Sequence, residues 1–178
     1  MAEGKYDKFF VEYRRTPQEI ENFVTGKDPR QTYRIAHLNP AVLKGSFVYS
    51  VFWVFPHSYG QSSGKPQDWW SGHPPHIHKE PELLFHIGTN PDDPSDLGAE
   101  VVFYMGPELE EHVITKSNVV YIPPNFIHCP WKPVKTWKPW INIQVNQGPE
   151  ATEKRFWQIL PEEIVAKMDK AKFPDKGY

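Results

Sequence analysis

The chain is poor in cysteine, in long apolar runs and in excess charge of either sign. The single cysteine, Cys129, excludes a disulfide framework and a cysteine-built zinc finger. Any metal would have to rest on histidine and carboxylate. No run of 18 apolar residues occurs, so no transmembrane helix is expected. The first residues are charged and carry no apolar core, so no secretory signal is expected either, and a reducing cytoplasm is the default compartment. The net charge of −2 argues against a general nucleic-acid binder, which would carry a basic excess.

Aromatics, proline and histidine are plentiful: 11 Phe, 8 Tyr, 7 Trp, 19 Pro and 8 His in 178 residues. That mixture disfavours a helix bundle and favours short strands joined by proline-punctuated turns. One N-terminal helix is expected, capped by Thr16, with Pro17 at its first position, Glu19 completing a capping box and Gly26 ending it. Strands are expected at 33–38, 46–55, 99–105, 111–115, 119–122 and 140–145. Two more fall within 76–88, broken near Glu80-Pro81, and 126–130 is a short candidate. A strand at 156–160 and a helix over 162–171 close the chain. The organisation expected is an N-terminal arm with a helix and an edge strand (1–45), a β-barrel (46–160) and a C-terminal helix (161–178). Overall this is an all-β antiparallel jelly-roll barrel with short terminal helices.

The strongest chemical signal is His76-Ile77-His78 followed by Glu82. Side chains two apart on a strand share a face, so both imidazoles can address one point. A turn at Glu80-Pro81 would return Glu82 to the same point. Two imidazoles and a carboxylate suit Fe, Mn, Ni, Cu or Zn. A surface His pair with a solvated glutamate is the bland alternative. The second signal is an apolar strand, a tight Pro123-Pro124-Asn125 turn and then His128.

Together these stretches resemble the two motifs of the cupin family. The first motif is represented by Gly72, His76, His78, Glu82 and Gly88, the second by Ser117, Pro123, Asn125, His128 and Lys132. Asn125 stands where the family has a turn glycine, and Ser117 and Lys132 replace its outer Gly and Asn. The resemblance spans about residues 72–132. It implies a double-stranded β-helix with one divalent transition metal held by His76, His78, Glu82 and His128. Iron(II) is favoured, with Mn, Ni, Zn or Cu as alternatives, and one or two positions stay open for substrate, water or O₂.

Around that site, His86 shares a strand face with Glu82 and is a candidate proton-transfer residue; a hydrogen-bonded core histidine is the alternative. His73 is expected at the mouth or in solvent. No partner is evident for His37, His57 or His112. Cys129 is expected to point away from His128, since a thiol near the metal would require a bulge. Trp53, Trp69, Trp70, Trp131, Trp137 and Trp140 divide between core and pocket. Asn142, Gln144 and Asn146 alternate with apolar residues and line either the lumen or a solvent face. Arg14, Arg15, Arg30 and Arg34 are expected at the surface, with a substrate carboxylate as the alternative partner for one of them.

Three functions stay open. The first is a mononuclear non-haem iron(II) dioxygenase acting on a small organic molecule. The second is a redox-neutral lyase or isomerase in which His86 moves a proton. The third is a non-catalytic metal or small-molecule binding module. An enzyme is preferred, and among enzymes the dioxygenase. Its partners are a small-molecule substrate and, by the habit of such barrels, a second copy in a homodimer, with no nucleic acid and no membrane.

Overall fold

The structure is a computed structural model that describes residues 5–12, 32–56 and 73–178. The expected N-terminal helix lies outside these residues. So do Arg14, Arg15, Arg30, His57, Trp69, Trp70 and Gly72.

Among the described residues ten strands make two five-stranded antiparallel sheets. They are β1 (Thr32–Leu38), β2 (Val48–Val54), β3 (His76–Ile77), β4 (Glu82–Gly88) and β5 (Asp96–Met105), then β6 (Glu110–Lys116), β7 (Asn118–Ile122), β8 (His128–Thr136), β9 (Trp140–Asn146) and β10 (Lys154–Arg155). One sheet runs β1-β2-β9-β4-β7 and the other β10-β3-β8-β5-β6. From β3 onward the chain passes between the sheets repeatedly, staying in one sheet only from β5 to β6. This is a double-sheet jelly roll, all-β as the composition implies.

The strands follow the apolar alternation. Along β4, Glu82, Leu84 and His86 are buried while Ile87 is exposed. On β9, Trp140, Asn142 and Asn146 are buried, so the polar face of that strand looks inward. The core between the sheets includes Val54, Leu84, Leu97, Val101, Phe103 and Trp140. Gly88 allows β4 to approach β5: a Cβ there would fall 1.9 Å from the Asp96 carbonyl oxygen.

Three expectations need correction. The short candidate at 126–130 is the start of a nine-residue strand, β8, that continues through Pro130 and Pro133. Proline cannot donate to a ladder, and β8 meets this with two irregularities in its register with β5, each near one of the prolines. The strand expected at 156–160 is instead a 3₁₀ turn, Trp157–Ile159, after the two-residue β10. The C-terminal helix is one turn, Glu162–Val165, and a separate 3₁₀ turn, Lys170–Lys172, is capped by the Asp169 carboxylate. No described helix is long and apolar enough to cross a membrane.

Candidate metal centre

The two histidines of the first motif and the histidine of the second meet across the β3–β8 pair, where His76 stands directly opposite His128. Their ring centroids lie 4.4 Å apart, with His78 at 4.8 Å from His76 and 5.0 Å from His128. Glu82 enters from β4 in the other sheet. Its Oε2 is 3.2 Å from both His78 Nε2 and His128 Nε2. All four residues are buried. Asn125, with φ of 59°, makes the left-handed turn before His128, and its N–H donates to the His78 carbonyl at 2.7 Å. That bond ties the second motif to the first.

The three rings share one tautomeric logic. His76 Nδ1–H donates to the Pro74 carbonyl at 2.7 Å and His128 Nδ1–H to the Phe126 carbonyl at 3.0 Å. His78 Nδ1–H donates to the Thr152 carbonyl. A carbonyl only accepts, so each Nδ1 carries a proton, and Nε2 keeps its lone pair wherever the ring is neutral. At His78 burial favours that neutral ring, but the Glu82 carboxylate and the Thr152 carbonyl outweigh it and raise the pKa. His128 Nε2 is buried without a hydrogen-bond partner, because Glu82 is near it but not aligned with it. A buried imidazole nitrogen with no hydrogen-bond partner is one that could serve as a metal ligand. Burial, then the neighbouring His128 and His78, hold the His76 imidazole well below its ordinary pKa. For Glu82, burial favours the neutral acid, but His128 and His78 outweigh it and bring the carboxyl down to about 2. A neutral imidazole and an ionised carboxylate are the states that ligate. The donor set therefore fits a divalent metal, and the chain has a potential metal-binding site.

The ligating atoms of His78, Glu82 and His128 lie within 4.8 Å of one another, and those of His76 join His128 on one side and His78 on the other. Two further residues enter these groups. Cys129 joins His76 and His128, and Glu153 joins His76 and His78. The thiol was expected to point away. Instead Cys129 takes a φ of 77° at the β8 irregularity, which brings the sulfur back toward the ligands. Glu153, just before β10, was not legible as a site residue. Two residues of strand after a Pro-Glu-rich loop give no period to read.

His86 is fully buried on the lumen face of β4. Its Nδ1–H donates to Asn118 Oδ1 at 2.8 Å, and its Nε2 accepts from Trp131 Nε1–H at 2.9 Å. Burial, against the opposing Asn118 hydrogen bond, lowers its pKa to about 4. Both nitrogens are thus engaged. Asn142, on the neighbouring strand, donates to the Phe85 carbonyl. His73 is exposed, its ring 5.9 Å from that of His76. His37 bonds Ser50 and Asn39, and His112 sits exposed 3.4 Å from Glu110. Trp131 and Trp140 pack on His86, whereas Trp137 is exposed.

A cleft of about 460 Å³ opens between β5, β6 and β7. Phe103, Met105, Ile114, Val120 and Phe126 form its apolar part, and Asn118 and Glu110 are among its polar groups. It borders the His128 side of the centre, since the Phe103 ring meets the His128 ring edge-on at 6.2 Å and Met105 stands opposite His128.

The fold and the site together define a jelly-roll barrel with a potential divalent-metal centre in its lumen. No protein-family model matches the chain, and no curated protein matches it. Among solved structures the chain is similar to the polyketide cyclase RemF from Streptomyces resistomycificus. Identity is 13% over 75% of this chain and 82% of that one, with a TM-score of 0.45. It is also similar to a cupin-like protein from Thermotoga maritima, at 15% identity over 78% and 85% of the two chains and a TM-score of 0.42. An oxalate decarboxylase from Bacillus subtilis is similar at 13% identity and a TM-score of 0.44. There 81% of this chain spans only 33% of the decarboxylase. At such identities the likeness is one of strand course, and the chemistry of the site rests on this chain's own residues.

Proposed function

We propose that this protein is a metal-dependent enzyme acting on a small organic molecule, with His76, His78, Glu82 and His128 as the ligands of one divalent ion. The observation that carries this reading is the buried His128 Nε2, unpartnered beside three other donors. Iron(II) is the ion we favour, and dioxygenation the reaction. A bound iron(II) would supply a Lewis-acidic, redox-active centre with positions open to exogenous ligands.

The chain's own residues do the rest. The carbonyls of Pro74, Thr152 and Phe126 fix the ring orientations. Phe103, Met105 and Phe126 offer an apolar wall to a substrate body and keep water from that side. Burial holds His86 neutral, and Asn118 and Trp131 engage both ring nitrogens, so His86 moves a proton only if one of these bonds exchanges.

That engagement favours the dioxygenase over the redox-neutral reading, which needs a free base. Glu153 is the observation on the other side, a carboxylate within 4.8 Å of the His76 and His78 ligating atoms. Burial raises its pKa, but Arg155 outweighs burial and lowers it, so it is a weak base. A homodimer through an exposed sheet edge completes the proposal. Edge strand β7 presents Val119 and Tyr121, 51% and 55% exposed. Cytoplasmic residence is the compartment we favour, since a chain with one cysteine needs no oxidising environment for its fold.

The test is oxygen consumption by the iron(II)-loaded protein across a panel of small aromatic and carboxylic compounds. Substrate-dependent uptake that disappears in His128→Ala is expected. Turnover that persists under strict anaerobiosis assigns the protein to the lyase and isomerase class instead. Metal binding without turnover of any kind leaves the binding-module reading.

A further inference from the structure

Arg155 ends β10 and stands directly opposite His76. Opposed residues of an antiparallel pair place their side chains on the same face of the sheet. The guanidinium therefore goes to the side that carries the metal centre. Its side chain is 2% exposed. Nη2 donates to Glu153 Oε2, the carboxylate group that reaches the His76 and His78 ligating atoms. Nε and Nη1 are buried and have no hydrogen-bond partner among the described residues. A guanidinium has five N–H donors and no way to shed its charge. Bare donors at this depth call for an acceptor that the described residues do not provide.

The local charge says which kind of acceptor. Three carboxylates, Glu82, Glu153 and Asp175, lie near two cations, Arg155 and Lys176: Asp175 Oδ1 accepts from the Arg155 backbone N–H at 2.8 Å, and Lys176 is 3.4 Å from Glu153. Together they leave a single negative charge. A divalent ion adds two positive charges in a place where water is scarce, and an anionic ligand offsets part of that charge. The planar fork of arginine fits a carboxylate better than a lone ammonium would.

We propose that Arg155 forms an anion subsite beside the metal centre and takes the carboxylate of a small organic ligand on the donors that Glu153 leaves free. This rests on the metal-centre reading for the ligand's placement, and it narrows the substrate class to carboxylic acids. No covalent step is involved: the carboxylate binds as an ion and leaves as one.

The experiment is a titration of the metal-free protein with acetate and, separately, with its neutral isostere acetamide. The Arg155 Nε–H cross-peak in nitrogen-15 NMR is followed, assigned by its absence from Arg155→Lys. Acetate is expected to move that peak saturably and acetamide to leave it in place. Arg155→Gln should weaken acetate binding at least tenfold while changing cobalt(II) affinity, read from visible absorption, less than threefold. A peak that ignores acetate, or follows acetamide equally, overturns the subsite without use of any variant. So does an Arg155→Gln protein that binds acetate as the wild type does. Acetate binding in a wild type that takes no cobalt(II) would remove the metal reading and leave the subsite standing. Cobalt(II) binding without acetate binding would do the reverse.

Discussion

His76 and His128 are directly opposed residues of β3 and β8, with rings 4.4 Å apart, although 52 positions separate them in the chain. That opposition joins the two motifs and makes the potential metal site a property of the sheet. Protein purified without a histidine tag is expected to hold close to one equivalent of a divalent transition metal. His76→Ala and His128→Ala should each lose at least tenfold in affinity, because each removes a ligand and leaves the other donors unmoved. Elemental analysis below about a tenth of an equivalent in wild-type protein would sink the assignment.

The pH dependence of stability should carry the signature of His86. Its pKa is about 4 in the fold, against 6.5 for an imidazole in water. Between those values the unfolded chain binds the proton and the folded chain does not. Stability is therefore full above pH 6.5 and falls as pH drops toward 4, by about 3 kcal/mol for this group. His86→Gln can still accept from Trp131 and donate to Asn118, so it should show a flatter profile over that window. Urea unfolding at a series of pH values measures both curves, and parallel curves would show that the imidazole is not held neutral.

Gly88→Ala should destabilise the barrel. The new Cβ would lie 1.9 Å from the Asp96 carbonyl oxygen, a backbone atom with nowhere to go. Forcing the two strands apart is expected to cost about 1–3 kcal/mol. A drop in melting temperature with the far-ultraviolet spectrum retained is the expected result. An unchanged melting temperature would mean that β4 and β5 are not this close.

Cys129 should resist alkylation in the native protein. Burial, and then the charges of Glu82 and Glu153, raise the thiol pKa well above its ordinary value. The thiolate, which is the reactive form, is therefore rare at pH 8. Iodoacetamide should label the denatured chain fully and the native chain by less than a tenth, as counted by mass spectrometry. Rapid native labelling would place the thiol in solvent.

Much of this arrangement was legible in the sequence because it depends on local period and spacing. His76, His78 and Glu82 declare themselves by alternation and a proline turn, and Asn125 by its tolerance of a positive φ. The length of β8 was not legible, because Pro130 and Pro133 read as stops when the neighbouring strand absorbs them through irregular register. Cys129 was misplaced for the same reason. Strand alternation assigns a side chain to the far face, and one irregularity returns it. Glu153 and Arg155 were hidden because their role depends on pairing with β3, some 77 positions earlier, and a two-residue strand has no pattern of its own. His86 was visible as a lumen residue, but its two hydrogen bonds come from β7 and β8 and could not be read from β4.

The acceptor that orients His78 is the carbonyl of Thr152, 74 positions further along the chain. The next residue, Glu153, forms a backbone bridge with Lys176. During synthesis, His76 and His78 leave the ribosome long before the carbonyl that sets the second ring. The centre is therefore assembled late. An ion that arrived before residues 152–176 had folded would meet an incompletely oriented ring, so any selection among metals would fall to the finished barrel rather than to the nascent chain.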